Sequence, residues 1–289
     1  MIHEMRTLDL EALHIFRTVA EQGGITRAAV KLNRVQSNVT TRVKQLEERL
    51  GTQLFSRQGR RLVLSAEGRL LLAYADALLR LSSEAQAALA GQRPRGVFRL
   101  GTLESTAAAR LPPILAAYHR ECPDVQIELV TGTSGALVSR LHAFEIEAAF
   151  VAEPFNAEGL ETLHVFDEEL VLISPRGSRA VRTPADIGGR AVIAFPAGCS
   201  YRRRLEEWLG RDRVGPPRVM EFASYHAIVA CVSAGAGIAV VPRSVLQLAA
   251  RTQVHASALP PRIAQARTML AWRANHRSTV LDALRAHLA

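Results

Sequence analysis

The stretch LNRVQSNVTTRVKQLEERLG, residues 32–51, constrains the fold of this chain more than any other segment. Its apolar residues recur at helical spacing and form one stripe that must pack against a core, made of Val39, Val43, Leu46 and Leu50. The polar residues gather at the amino-terminal end of the stretch and not along one face. Gly51 is the residue type that most often ends a helix. The pattern predicts a helix that is anchored along its length and exposed at its start.

Two shorter helices are predicted before this stretch and a hairpin after it. Apolar spacing from Leu8 indicates a helix that stops at Gly23, and an alanine-rich segment indicates a second helix from Thr26 to about Leu32. The segment LFSRQGRRLVLS, residues 54–65, contains two β-prone runs around a polar turn. Three helices and a wing of this kind describe a winged helix-turn-helix, in which the third helix enters the DNA major groove.

The distribution of charge favours double-stranded DNA as the partner. The net charge is +9 and the sequence pI about 10.4, and residues 1–65 alone hold 11 Arg and Lys residues against 6 Asp and Glu residues. A basic excess concentrated in one domain is typical of nucleic-acid binding. The candidate DNA contacts combine hydrogen-bonding side chains at the start of the third helix with basic residues of the turn and wing: Thr26, Arg34, Gln36, Ser37, Asn38, Thr40, Thr41, Lys44, Arg57, Arg60 and Arg61. The alternative for the helix start alone is a solvated polar face with an N-cap at Gln36 or Ser37.

The remaining chain predicts a long helix and then an α/β region. Residues 66–90 form a helix whose apolar stripe needs a partner, and this stripe consists of Leu71, Leu78, Leu81, Ala85 and Leu89. GQRPRG, residues 91–96, is a breaker-rich hinge. From residue 97 onward strands and helices alternate, which favours an α/β architecture with a mostly parallel sheet.

These residues carry a family resemblance. Residues 8–57, LDLEALHIF through LFSR, resemble the winged helix-turn-helix of LysR-type transcriptional regulators. The matching positions are Ala28, Ala29, Leu32, Gln36, Leu46, Glu47, Leu50, Gly51, Leu54, Phe55 and Arg57, and the resemblance continues through LVLSAEGRLLL and beyond. The chain departs from the family pattern at Gly24, Val35 and Asn38, on or beside the reading surface.

The resemblance implies the fold and the division of the chain. It implies a mainly α winged helix-turn-helix over residues 8–65 (the helix-turn-helix over about 25–44), a dimerisation helix over 66–90 and an effector domain over 97–289 like a periplasmic binding protein. Its first subdomain would comprise about 97–163 and 268–289, and its second about 164–267. The expected function is a sequence-specific DNA-binding transcriptional regulator controlled by a small-molecule effector bound between the subdomains. The expected assembly is a homodimer or homotetramer, and RNA polymerase is a further partner for this class.

Four polar loops are the expected effector contacts. In two-subdomain α/β binders, ligands lie where strands end and helices begin. The loops are GTLEST (101–106), TGTSG (131–135), GCSYRR (198–203) and SYHA (224–227). The candidate residues are Thr102, Glu104, Ser105, Thr133, Ser134, Cys199, Ser200, Tyr201, Ser224, Tyr225 and His226. For each residue alone, helix capping is the alternative interpretation.

The sign of the effector charge stays open at this point. Glu104 at a helix start is explained by capping, but a carboxylate that faced the cleft would favour an amine or amino acid. Arg202 and Arg203 would instead favour an anion. Residues 101–112 and 199–208, GTLESTAAARLP and CSYRRRLEEW, also resemble LysR-type regulators linked to amine and amino-acid metabolism.

Other functions are less well supported. A solute-binding protein without a regulatory role is the alternative, but the basic amino-terminal region and the acids near the N-terminus, where an export signal needs an apolar core, favour a cytoplasmic regulator. An enzyme is not expected: Lys31 and Lys44 are the only lysines, which leaves no Schiff-base lysine in the α/β region, and no GxSxG or HExxH motif occurs. We expect no cofactor, no metal and no membrane span.

Overall fold

The computed structural model describes residues 8–58, 61–89, 93–210, 218–248, 253–274 and 276–288. The chain forms two compact units, Met1–Gln92 and Arg93–Ala289.

The first unit is mainly helical with one short hairpin. Its elements are α1 (Leu10–Gln22), α2 (Ile25–Lys31), α3 (Gln36–Leu50), β1 (Phe55–Gln58), β2 (Arg61–Leu64) and α4 (Ala66–Leu89). β1 and β2 pair antiparallel, with Phe55 opposite Leu64 and Gln58 opposite Arg61, so the predicted wing is present. Gly51 ends α3 at φ 70°, a left-handed conformation that glycine adopts without a Cβ penalty.

The apolar stripes of the helices meet in one continuous core. Val39 and Val43 of α3 are buried beside α1 and α2, and Leu46 is buried with Phe16 and Leu54 next to the hairpin. α3 is therefore fixed from Val39 to Leu46, as its spacing predicted, whereas Leu50 of the same predicted stripe is 37% exposed at the end of the helix.

The long helix has two apolar faces. Leu71, Leu72 and Leu79 pack around the buried Ala75 in the same core as α1. Leu71 is thus not part of the unpartnered stripe to which the spacing assigned it, because α1 covers that side of α4. The exposed face instead carries Leu70, Tyr74, Leu78 and Leu81. Gly68 makes the close approach at the start of α4, where an added Cβ would lie 2.1 Å from the Leu54 carbonyl oxygen.

The second unit alternates strands and helices. Its first half contains β3 (Gly96–Thr102), α5 (Glu104–Ala109), α6 (Leu111–Glu121), β4 (Val125–Thr131), α7 (Ser134–His142), β5 (Ala148–Ala152) and β6 (Leu160–Pro175). The remaining elements are β7 (Val192–Ala194), α8 (Ser200–Gly210), β8 (Val219–Glu221), α9 (Tyr225–Ser233), β9 (Ala239–Pro242), α10 (Arg243–Leu248), β10 (Val254–Ala258), α11 (Pro261–Ala264), β11 (Gln265–Arg273) and α12 (Thr279–Ala286).

The main sheet of this unit is mixed, so the expectation of a mostly parallel sheet is wrong. β3 pairs parallel with β4 and β5, and β7 pairs parallel with β8. β6 and β11, however, run in opposite directions and pair with each other over the whole of β11. The distal half of β6 then pairs antiparallel with β9 and β10, and β11 pairs antiparallel with β5. The chain passes from the first half of the unit to the second along β6 and returns along β11, so these two strands run antiparallel.

The strand ends position the polar loops. Because β3 and β4 are parallel, Thr102 and Thr131 lie side by side at the same edge of the sheet, and β5 ends there at Ala152. α8 and α9 begin at Ser200 and Tyr225 in the other half of the unit. Within the described ranges, no helix combines the length and apolarity that crossing a bilayer requires.

Candidate DNA interface and ligand cavity

The start of α3 is an exposed polar surface on a buried scaffold. Gln36, Ser37, Asn38, Thr41 and Lys44 are exposed, and Thr40 is half-buried. The N-cap position of α3 is occupied by Val35, which makes no side-chain cap. The capping interpretation of Gln36 and Ser37 therefore does not account for these side chains, and their hydrogen-bonding groups face solvent.

Local hydrogen bonds tie this surface together. The Thr26 hydroxyl lies 3.3 Å from Gln36 Oε1, which links the start of α2 to the start of α3. The Thr40 hydroxyl donates to the Gln36 carbonyl at 2.9 Å. Arg34 lies 3.4 Å from Asn38 Oδ1 and forms an ion pair with Glu11. The charge of Arg34 is therefore shared with an acidic side chain of α1.

The wing adds one described basic side chain, Arg57, which is exposed on β1. Arg60 lies outside the described residues, and of Arg61 only the backbone in β2 is described. The wing is held to α3 by the buried Glu47, whose Oε1 accepts the Leu54 N–H at 2.7 Å and the Phe55 N–H at 3.2 Å.

Two apolar side chains on this surface were not among the predicted contacts. Val30 of α2 is 74% exposed and Val35 is 69% exposed. The departure of Val35 from the family pattern was the one sequence signal that pointed to this position.

In the second unit, the polar loops close on a narrow cavity between the two halves of the mixed sheet, with a volume of about 10 Å³, or about 250 Å³ of empty space when its open mouth is included. Seven of the predicted effector contacts line it: Glu104, Thr133, Ser134, Cys199, Ser200, Tyr201 and Tyr225. Leu103, Gly132, Ala152 and Phe195 also line it and were not predicted, since apolar and glycine positions give no sequence signal for binding.

The other predicted effector residues lie beside the cavity. Thr102 is completely buried and its hydroxyl donates to the Leu103 carbonyl at 3.1 Å. Ser105 is buried behind the wall, and Ser224 precedes α9. His226 is largely exposed at the rim, with Nδ1 3.9 Å from Glu104 Oε1.

Two serines close the floor of the cavity and join the two halves. The Ser200 hydroxyl lies 2.7 Å from the Ala152 carbonyl oxygen and 3.0 Å from Ser134 Oγ. Ser134 Oγ accepts the Ala152 N–H at 3.1 Å. These hydroxyls form hydrogen bonds with each other and with Ala152 at the end of β5, so they stabilise the floor of the cavity.

Glu104 and the Tyr201 hydroxyl are the polar groups of the wall that lack full compensation among the described residues, and Glu104 is the acidic one. Its Oε1 accepts the Tyr225 N–H at 3.4 Å, near the upper limit for a hydrogen bond. Its Oε2 is buried and has no hydrogen-bond partner among the described residues. Burial raises the pKa of Glu104, against the opposing effects of the Tyr225 N–H, His226 and the Ser224 hydroxyl.

The basic residues of the GCSYRR loop point away from the cavity. Arg202 binds Glu206 at 2.8 Å, the Phe195 carbonyl at 3.1 Å, and Glu221. Arg203 lines a different surface hollow, together with Arg204 and Arg262. The sequence argument that these arginines favour an anionic ligand is therefore wrong for this cavity.

Both units match families of one class. Residues 10–69 match the family described as bacterial regulatory helix-turn-helix protein, lysR family. Residues 91–289 match the LysR substrate binding domain. The chain belongs to the LysR family. It is a DNA-binding transcriptional regulator with an effector-binding substrate domain, and the solute-binding alternative is not favoured.

Relatives and solved structures agree with this assignment. The chain is 40% identical over 262 residues to the uncharacterized HTH-type transcriptional regulator YusT of Bacillus subtilis, covering 89% of this chain and 86% of that protein. It is 37% identical to the HTH-type transcriptional regulator GltR of the same organism, covering 83% and 81%.

Solved LysR-type structures share the fold. A full-length OxyR variant from Pseudomonas aeruginosa has a TM-score of 0.75 at 20% identity, covering 98% of this chain and 95% of that one. Full-length CbnR complexed with its target DNA has a TM-score of 0.65 at 23% identity, covering 97% and 99%.

Proposed function

We propose that the start of α3 reads base edges and that surrounding basic side chains bind phosphates. The observation that carries this proposal is the exposed, uncapped polar end of a helix that is anchored by its buried residues Val39, Val43 and Leu46. Gln36 and Asn38 can each donate and accept, as bidentate contacts to adenine require. Lys44 and Arg57 supply positive charge that makes the affinity fall with rising salt.

Val35 gives this surface an apolar contact. Its methyl groups stand at the N-cap of α3, next to Gln36 and 69% exposed. In the major groove, the C5-methyl of thymine is the one apolar group on a base edge. We infer that Val35 contacts the methyl group of a thymine. In the common family pattern this position holds the hydroxyl of a serine or threonine.

A selection experiment tests the reading surface. Full-length protein would select duplexes from a random library, and fluorescence anisotropy would measure the selected site. Gln36→Ala should weaken binding about 5- to 100-fold, as loss of a bidentate base contact does. Gln86→Ala, an exposed glutamine of α4, is the matched control. Equal affinities for the two variants would refute the assignment of α3.

We propose that the cavity holds the effector. Glu104, Thr133 and Ser134 come from the first half of the unit, and Phe195 and Tyr225 come from the second. A ligand that contacts both halves binds one arrangement of them better than others, and it shifts the population by that difference in affinity. The proposed function needs binding energy alone and includes no enzymatic step.

A ligand screen with a filled cavity tests this proposal. A bound ligand raises the melting temperature because it stabilises only the folded state. Amines, amino acids and organic acids would be screened by thermal shift against the wild type and Gly132→Leu. Gly132 lines the cavity, and its added Cβ would meet Leu137 at 3.4 Å, an ordinary contact. Gly210→Leu, which has open space around it, is the control.

Ligands of the cavity should stabilise the wild type and Gly210→Leu but not Gly132→Leu. Equal stabilisation of all three proteins, or of none, would refute the cavity as the effector site.

We also propose that the exposed face of α4 pairs two copies of the chain. Leu70, Tyr74, Leu78 and Leu81 form an apolar stripe at helical spacing, and a second copy of the same stripe would cover it. The stripe supports a homodimer or homotetramer. We propose that this assembly acts in the cytoplasm on double-stranded DNA and RNA polymerase.

A further inference from the structure

We propose that the effector of the cavity is a small organic cation, an amine whose ammonium group binds Glu104. This inference rests on the proposal that the cavity is the effector site, and it adds the chemical class of the ligand.

The charge of the wall is the first observation. Among the described residues that line the cavity, Glu104 is the one with a carboxyl group, and none is a lysine or an arginine. Its Oε2 is buried without a hydrogen-bond partner among those residues, and 21% of the side chain is exposed. A partly desolvated carboxylate with a free oxygen is an acceptor that an ammonium group satisfies.

The backbone donors of the wall are the second observation. Helix starts attract anions only when their N–H groups are free. Here the Ala136 N–H points to Thr133 Oγ1 at 3.3 Å, and the Gly135 N–H points to the Gly198 carbonyl at 3.4 Å. The Tyr225 N–H is bound to Glu104 itself. These three amides are thus already occupied and do not attract an anionic ligand.

The aromatic pair is the third observation. Phe195 and Tyr225 both line the cavity, with ring centroids 4.4 Å apart and planes inclined at 36°. An ammonium group within about 6 Å of a ring centroid is attracted by the negative face of the ring. Aromatic rings beside one carboxylate form a site for a cation with an apolar body, and Leu103 and Ala152 extend its apolar part.

The test uses ligands that share a shape and differ in charge. Isothermal titration calorimetry would compare butylamine, butan-1-ol and butyrate, and likewise benzylamine, benzyl alcohol and benzoate, on the full-length protein. The amine of each set should bind more tightly than the alcohol, and the carboxylate should bind most weakly. A carboxylate that binds as tightly as its amine would overturn the proposal.

Two variants locate the contact. Glu104→Gln keeps the shape of the side chain and should weaken the amines about 30-fold or more while leaving the alcohols unchanged. Glu158→Gln, an exposed glutamate outside the cavity, is the matched control. Phe195→Leu should weaken the amines about 3-fold through loss of the ring. Amine affinity that is equal in Glu104→Gln and wild type would refute the proposal.

Proton release gives an independent readout. An ammonium stabilises the ionised form of Glu104, so binding near the raised pKa of this group should release protons, and amine affinity should rise with pH through that range. The other titratable groups that face Glu104 are His226, Tyr201, Tyr225 and Cys199, and burial raises the pKa of Tyr201, Tyr225 and Cys199. Calorimetric titrations of His226→Gln with an amine, in buffers of different ionisation enthalpy, measure the protons released when the imidazole is absent. Proton release that persists in this variant comes from the Glu104 carboxyl group.

The outcomes separate the two proposals. If neutral or anionic compounds bind at least as tightly as the amines and Gly132→Leu abolishes their binding, the cavity is the effector site and the proposal that its ligand is a cation is wrong. If no compound of any charge binds, both proposals fail.

Discussion

Removal of the buried Glu47 carboxylate should loosen the wing from α3. Glu47 is 9% exposed, and its Oε1 accepts two backbone N–H groups at the point where the chain leaves α3 for β1. Glu47→Ala leaves the Leu54 and Phe55 amides without this acceptor. The Leu54 N–H is buried, whereas the Phe55 N–H is only partly buried.

The expected cost follows from these two bonds. A buried donor that loses its partner costs about 1–3 kcal/mol, so the pair should cost about 2–4 kcal/mol of unfolding free energy. Glu47→Gln keeps an acceptor oxygen and loses only the charge, which should cost about 1–2 kcal/mol. In a unit of this size, each kcal/mol lowers the melting temperature by about 4–8 °C. Glu48→Ala, the exposed neighbour, should change stability by less than about 0.5 kcal/mol.

Differential scanning calorimetry of the full-length protein would measure the transition of the first unit. Hydrogen exchange followed by mass spectrometry would report on the peptide that contains Leu54 and Phe55. Faster exchange confined to the wing in Glu47→Ala would support the assignment. A loss of stability in Glu47→Ala no larger than in Glu48→Ala would refute the reasoning, because the two amides would then not depend on the carboxylate.

Three further predictions follow from exposed or buried single side chains. Replacing thymine by uracil in the selected DNA site should weaken wild-type binding about 3-fold or more, and Val35→Ser, which removes both methyl groups, should reduce this difference; an unchanged difference would exclude Val35 as the contact. Leu78→Glu should lower the oligomer mass in light scattering while the exposed Ser83→Glu does not; equal masses would contradict pairing through α4. Because burial raises the pKa of the Cys199 thiol, iodoacetamide at neutral pH should alkylate Cys199 more slowly than the half-buried Cys231. Mass spectrometry of digests would measure the two rates, and faster alkylation of Cys199 would contradict the prediction.

The first unit could be predicted from the sequence in most of its structure. Helical spacing placed Val39, Val43 and Leu46 in the core, and the β-prone runs gave the hairpin, because both patterns are local. Spacing could not decide which side of α4 is covered, since Leu71 and Leu78 belong to one stripe until the position of α1 is known.

The second unit shows what only the tertiary structure decided. The alternation of strands and helices determined the α/β class, but strand direction in the main sheet depends on where β6 and β11 cross, which local sequence does not encode. From the sequence, Glu104 favoured a cationic effector and Arg202 and Arg203 favoured an anionic one, which left the sign of the effector charge open. The fold turned Arg202 toward Glu206 and left Glu104 Oε2 buried in the wall of the cavity, because side-chain direction is set by packing between segments far apart in the chain. The sequence by itself thus determined the kind of protein and the loops that line the cavity, and the three-dimensional packing decided the charge that the cavity presents.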